Sequence, residues 1–143
     1  MNRVNLITLG VKDMERSVTF YRDRLGFSTS ETEDNPEIIF FHTPGSKLAL
    51  YPLDELAKDI DEQQPPQLSG FSGITLAYNA KSEKEVDDIM RKAEAAGARI
   101  VKHLEKVFWG GYSGYFTDPD GCYWEVAYGE MWEFDESDML IMD

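Results

Sequence analysis

A chain of 143 residues with 27 Asp+Glu against 14 Lys+Arg carries a formal charge of −13, which argues against nucleic acid as a partner, because phosphate backbones repel it. Its 42% hydrophobic and 13% aromatic content is too rich for a disordered chain, and its length suits one domain able to bury a core. No apolar run approaches the ~20 residues of a bilayer crossing, and the N-terminus lacks a charged stretch followed by an apolar one, so no membrane partner and a cytoplasmic location are expected.

Residues 4–11 read as a strand, with Ile7, Leu9 and Val11 on an apolar face and Leu6, Thr8 and Gly10 on the other. Asp13 is placed to cap a helix whose buried stripe is Met14, Val18, Tyr21 and Leu25, and Gly26 stands at its C-terminal end. Residues 27–32 are predicted extended and 31–37 an acidic, proline-containing turn. Two strands follow at 37–43 and 47–51, joined by Thr43-Pro44-Gly45-Ser46, with proline second and glycine third as a type II turn requires. Residues 54–70 read as a short helix and a linker holding Pro65-Pro66.

The pattern then restarts. Residues 71–78 form a strand, Ser82 with Glu85 a capping box, and Val86, Ile89, Ala93 and Ala96 a helical stripe closed by Gly97. Residues 99–104, 112–117 and 122–128 are strands, the last two flanking Asp118-Pro119-Asp120-Gly121, which has the type I turn pattern. Ile7-Thr8-Leu9 recurs as Ile74-Thr75-Leu76, and Phe41 and Pro44 recur as Phe116 and Pro119. The order strand–helix–strand–strand–strand is therefore written twice. The expected fold is α+β: paired βαβββ modules, each covered by helix on one face, whose curved mixed sheets enclose a cavity between their uncovered faces. Module one spans about 1–53, the linker about 54–70 and module two about 71–129, together one domain at 1–129. Residues 130–143 form an acidic arm rich in large apolar residues, expected to dock rather than fray.

Val11-Lys12-Asp13-Met14-Glu15-Arg16-Ser17-Val18-Thr19-Phe20-Tyr21 followed by Leu25-Gly26-Phe27 resembles the opening module of the glyoxalase/bleomycin-resistance/extradiol dioxygenase group, the vicinal oxygen chelate superfamily. So do the stretch from Phe108 to Phe116, Asp118-Pro119-Asp120-Gly121 and Trp124-Glu125-Val126. The resemblance runs to about Gly129. It implies paired βαβββ modules and a homodimer. Many members of the family hold one divalent metal, while others bind a drug or metabolite without metal. The family's four ligand positions fall here on Leu6, Leu50, Gly73 and Glu125. Only Glu125 carries a donor side chain, and a catalytic zinc needs at least three protein ligands, so no metal is predicted at that place and no other cofactor is implied. A divalent metal stays open only through ligands elsewhere; His42 and His103 have no second donor at ligand spacing and read as exposed and unused.

Strand alternation puts Glu125 on one face with Tyr123 and Ala127, while Trp124 and Val126 point the other way. Two roles stand side by side for Glu125. It is satisfied by neighbouring hydroxyls, or it is the catalytic or binding carboxylate that holds a cationic or hydroxylated ligand or moves a proton. The expected ligand-binding set is Leu6, Thr8, Leu50, Gly73, Thr75, Trp109, Tyr112, Tyr115, Tyr123 and Glu125, a wall suited to a flat or apolar molecule with few polar groups. Cys122 reads as an inert packed thiol. The leading reading is a metal-independent binder of a small molecule. The alternatives are a lactoylglutathione-lyase-like, isomerase or dioxygenase-like enzyme using Glu125, and an interaction module.

Overall fold

The computed structural model describes residues 1–142, which divide into two compact units, Met1–Gly73 and Ile74 onward. The chain is α+β, with helices and two mixed sheets of three and four strands. Among the described residues no helix is long and apolar enough to cross a membrane.

In the first unit β1 (Leu6–Val11) leads to α1 (Met14–Val18). Asp13 caps this helix as expected, its carboxylate accepting from the Arg16 amide at 3.0 Å. The helix continues as a π-helical turn, Thr19–Arg24. The wider turn lets the adjacent Phe20 and Tyr21 both bury, their rings edge to face at 5.0 Å. Gly26, at φ 83°, ends it in the left-handed region that glycine enters without a Cβ clash. Strands β2 (Ile39–Phe41) and β3 (Lys47–Pro52) follow, then α2 (Leu53–Ile60), which begins one residue before its predicted start. The sheet order is β1-β3-β2, with β1 parallel and β2 antiparallel to β3.

The strand predicted at 27–32 is absent. Isolated bonds tie this stretch to β2 and the residue after it, from the His42 amide to the Ser28 carbonyl (2.7 Å) and from the Thr29 hydroxyl to the Phe40 carbonyl (2.7 Å). The acidic loop beyond it is gathered instead by Arg22, which donates to the Glu33 carbonyl and to Asp34, both at 2.8 Å. Asp23 and Asp34 hold the Arg22 guanidinium firmly charged. A side-chain clamp thus takes the place of a ladder, and module one is βαββ rather than βαβββ.

The second unit keeps the full order: β4 (Thr75–Ala80), α3 (Glu83–Ala95), β5 (Arg99–Lys106), β6 (Gly111–Thr117) and β7 (Tyr123–Gly129), in sheet order β4-β7-β6-β5. Ser82 caps α3, accepting from the Glu85 amide at 3.0 Å, but the reciprocal arm of the expected capping box is displaced. Glu85 accepts from the Lys81 amide (2.8 Å) and the Tyr78 hydroxyl (2.6 Å) instead. Its buried stripe is Val86, Met90 and Ala93, with Ile89 and Ala96 only half-buried. The β6–β7 turn is locked by the buried Asp118, whose carboxylate accepts from the amides of Asp120 (2.9 Å) and Cys122 (2.8 Å).

In the first unit α2 crosses the sheet at Gly10. A Cβ there would stand 2.7 Å from Leu53 Cδ1 and 3.3 Å from Leu53 Cα. Gly10→Ala should therefore cost about 1 kcal/mol, by turning the Leu53 side chain aside and nudging α2 outwards, read as a lower urea midpoint at constant m; an unchanged midpoint would show that Leu53 and α2 yield freely.

Candidate functional site

Register decides which side chains share a surface, because alternate residues of a strand point to opposite faces. In the second unit Thr75 pairs with Tyr123 and Ala77 with Glu125 across β4–β7, while Tyr115 lies directly opposite Glu125 across β6–β7. This face is the one away from α3. The other face carries Phe116 stacked on Trp124 at 6.1 Å, beneath the buried stripe of α3.

Three of the expected site residues, Trp109, Tyr115 and Glu125, come together along one cleft of about 400 Å³. Thr75 and Tyr123 lie on the same sheet face, Thr75 exposed and Tyr123 half-buried. The half-buried Glu125 accepts one hydrogen bond, from the Tyr115 hydroxyl at 3.0 Å. Burial first, and then the bond to Glu125 and its charge, raise the pKa of the Tyr115 phenol. Among the described residues no cation forms an ion pair with Glu125, although two lysines line the cleft: Lys102 is paired with Glu105 at 3.3 Å and Lys106 with Glu83. The carboxylate therefore keeps acceptor capacity directed at the cleft.

The strand expectations missed Lys102, Glu105, Lys106 and Ser113 as lining residues. Ser113 was legible, two positions before Tyr115 on β6. The three from β5 were not, since register shifts on both sides of Lys102 break simple alternation. The lip is the β5–β6 turn, where Phe108 is wholly exposed and Trp109 is 44% exposed.

Four expectations need correction. Tyr112 belongs to the other face of β6: its hydroxyl donates to Asp87 of α3 at 2.7 Å, and that bond raises its pKa. Leu50 is fully buried and pairs with Leu9 and Ile39, on the face packed against α1 where Tyr21 meets Phe41 at 6.1 Å. Gly73 precedes β4 and has φ 78°, so strand alternation does not apply to it. The counterpart of Glu125 in module one is Tyr51: Thr8 pairs with Ala49 as Thr75 pairs with Tyr123, and two residues on, Gly10 pairs with Tyr51 as Ala77 pairs with Glu125. The cause is hairpin length. Phe41 faces Leu48, seven residues on, whereas Phe116 faces Trp124, eight residues on. One residue of difference exchanges the faces. Leu6 and Thr8 remain together on the face of β1 away from α1, Leu6 43% exposed.

These residues do not fit a divalent metal at the family's positions. Leu6, Leu50 and Gly73 offer no side-chain donor, and Tyr51 offers only a phenol. Among the described residues no three or more His, Cys, Asp or Glu gather as a metal-holding group.

The Glyoxalase/Bleomycin resistance protein/Dioxygenase superfamily model matches residues 3–126. The chain is 30% identical over 134 residues to "Metallothiol transferase FosB" of Shouchella clausii, covering 93% of this chain and 84% of that protein. It is 27% identical over 131 residues to "Glutathione transferase FosA" of Serratia marcescens, covering 92% and 84%. Among solved structures, a glyoxalase-related enzyme from Fulvimarina pelagi is similar over 99% of both chains, with 31% identity and a TM-score of 0.87.

Cys122 lies just before β7 and outside the cleft lining. Burial, and then the charges of Asp118 and Asp120, push its thiol up to about 12. The folded protein thus prefers the protonated form. The stability this contributes is complete below the unfolded thiol's pKa of about 8.5 and is lost as pH rises from there towards the folded value. At pH 8 an aromatic disulfide reagent should label the native thiol at least about a hundredfold more slowly than the urea-unfolded one, since the thiolate is the nucleophile; equal rates would contradict this.

Proposed function

Because the chain belongs to the glyoxalase/bleomycin resistance protein/dioxygenase superfamily, we propose that it binds a small, flat organic molecule in the cleft of its second module, and does so without the family's metal. The observation that carries this reading is Glu125: a half-buried carboxylate facing a cleft, answered by one neutral donor and by no cation among the described residues. A ligand ammonium, amidinium or hydroxyl supplies the missing donor. Trp109 supplies an aromatic wall and Phe108 an apolar lip. With Lys102 and Lys106 already engaged by acids, the locally unanswered charge is negative, which favours a cationic or donor-rich ligand over an anion. Thr75 and Tyr123, on the same sheet face as Glu125, are assigned to this ligand surface as an extension of the reading.

The Tyr115–Glu125 bond supports a second reading. The pair can pass a proton, with Glu125 as base and the Tyr115 hydroxyl as donor, as a transferase, lyase or isomerase on this frame would need. The relatives named as transferases favour it. The same proposal takes the protein to be a cytoplasmic homodimer, which light scattering on the purified protein tests: a monomer's mass at all concentrations would remove that part.

The binding test uses proflavine, a flat aromatic cation, in 150 mM salt to suppress non-specific attraction to an acidic protein. Glu125→Gln should weaken its binding about tenfold or more, the loss of one charge-assisted hydrogen bond, while Tyr115→Phe has a smaller effect. Untagged protein purified without chelator should hold far less than one equivalent of any divalent metal by elemental analysis, and chelator should leave proflavine affinity unchanged. Stoichiometric metal, or binding that ignores Glu125→Gln, overturns the proposal.

A further inference from the structure

Among the described residues, the acidic arm after β7 contributes none to the cleft lining, yet it braces one that does. Gly111 and Gly129 are direct cross-strand partners on β6 and β7, on the same sheet face as Tyr115 and Glu125. Neither position has room for a side chain. A Cβ on Gly111 would stand 1.9 Å from the Trp109 ring, and one on Gly129 2.7 Å from the ring of Trp132. The paired glycines are a bare floor on which two indoles lie. Those indoles stack on each other, with centroids 5.6 Å apart and planes 22° from parallel. Trp109 is the cleft wall, and Trp132 is the first large residue of the arm to turn back on the sheet, its amide donating to the Gly129 carbonyl at 3.1 Å.

The arm is built to keep Trp132 there. Beyond it the chain folds into a small hairpin, with Phe134 bridged to Leu140 and the Ile141 amide donating to the Glu133 carbonyl at 2.9 Å. Asp135 closes the hairpin, its carboxylate accepting from the amides of Ser137 (2.8 Å) and Met139 (3.0 Å). Lys81, at the end of β4, anchors the hairpin to the sheet by an ion pair with Asp138 and by lying over the Phe134 ring at 5.8 Å. Asp143, the last residue of the expected arm, lies outside the described residues.

We propose that Trp132 is a positioning residue for ligand recognition: the arm stacks it on Trp109, fixes that indole over the Gly111–Gly129 floor, and so sets the aromatic wall of the cleft for a planar ligand. This rests on the ligand-binding reading of the Glu125 cleft. It adds to that reading a specificity element drawn from residues beyond the 3–126 matched by the family model. An indole held at a turn by its covalent link alone samples several rotamers, and binding must then order it. Stacking on Trp132 removes that ordering cost before the ligand arrives.

Two variants test it. Trp132→Ala removes the stacking partner. Gly129→Ala keeps Trp132 but lifts its ring, and it keeps the question answerable should the first variant fold poorly. Stacked indoles give an exciton couplet in far-ultraviolet circular dichroism, which should vanish in Trp132→Ala and in a Trp109→Ala control, weaken in Gly129→Ala, and persist in Glu125→Gln. Proflavine affinity should fall about fivefold in both Trp132→Ala and Gly129→Ala, within the range of one aromatic pair, and Trp132→Phe should keep it near the unmodified value. A couplet that survives Trp132→Ala, or an affinity unchanged once the couplet is gone, overturns the positioning role while leaving the cleft reading intact. Absence of proflavine binding by the unmodified protein overturns both.

Discussion

The buried Asp118 at the β6–β7 turn is the interaction on which the site rests. Its carboxylate takes two amides of its own turn, and its amide donates to the Cys122 carbonyl at 3.0 Å. A turn closed in this way admits one pairing of the strands that leave it. That pairing sets Tyr115 against Glu125 and Gly111 against Gly129 on a single face. A slip of one residue would send Glu125 towards α3 and bring Trp124 into the cleft. The chemistry of the site is thus a consequence of one carboxylate's geometry several residues away.

The two modules show how the same frame is put to different use. Both begin with a strand and a capped helix, and both bring the last strand back parallel to the first. In module two the fourth strand, β5, is present, and its register shifts carry Lys102 and Glu105 to the edge of the cleft. In module one the matching segment forms no ladder, and Arg22 holds its acidic continuation in place. The position equivalent to Glu125 is the half-buried Tyr51. The frame is shared with the superfamily. Family membership fixes the fold and leaves the reaction to the site.

Charge in the cleft is arranged differently from charge over the whole molecule. Most acids lie on solvated helix faces and loops, where water screens them and single pairs contribute little, as with Lys84–Asp88 and Arg91–Asp88 on α3. Glu125 is half-buried, with Tyr115 as its hydrogen-bond donor, so water competes less for its remaining acceptor positions than at those surface acids. The stacked indoles beside it add an apolar surface held by the arm. Polar anchor and aromatic wall therefore come from different parts of the chain, one from the matched region and one braced from outside it.

Caps, turns and the element order of module two were legible in the letters because each depends on neighbours within a few residues: Asp13 and Ser82 at helix starts, Gly26 at a helix end, and the Asp118-Pro119-Asp120-Gly121 turn; the strand expected at 27–32 was not formed. Glu125 was legible for the same reason, set between apolar neighbours on a strand whose alternation is plain. What the letters could not decide was parity between strands. Leu50 and Tyr51 exchange faces on a one-residue difference in hairpin length, and Tyr112 and Tyr115 part company on β6 because Asp87 of α3 waits behind one of them. Trp132 was legible only as one of the large apolar residues of an arm expected to dock, with nothing to say where. Its role arises from two glycines whose emptiness matters only once β6 and β7 lie side by side, a contact that tertiary structure alone creates.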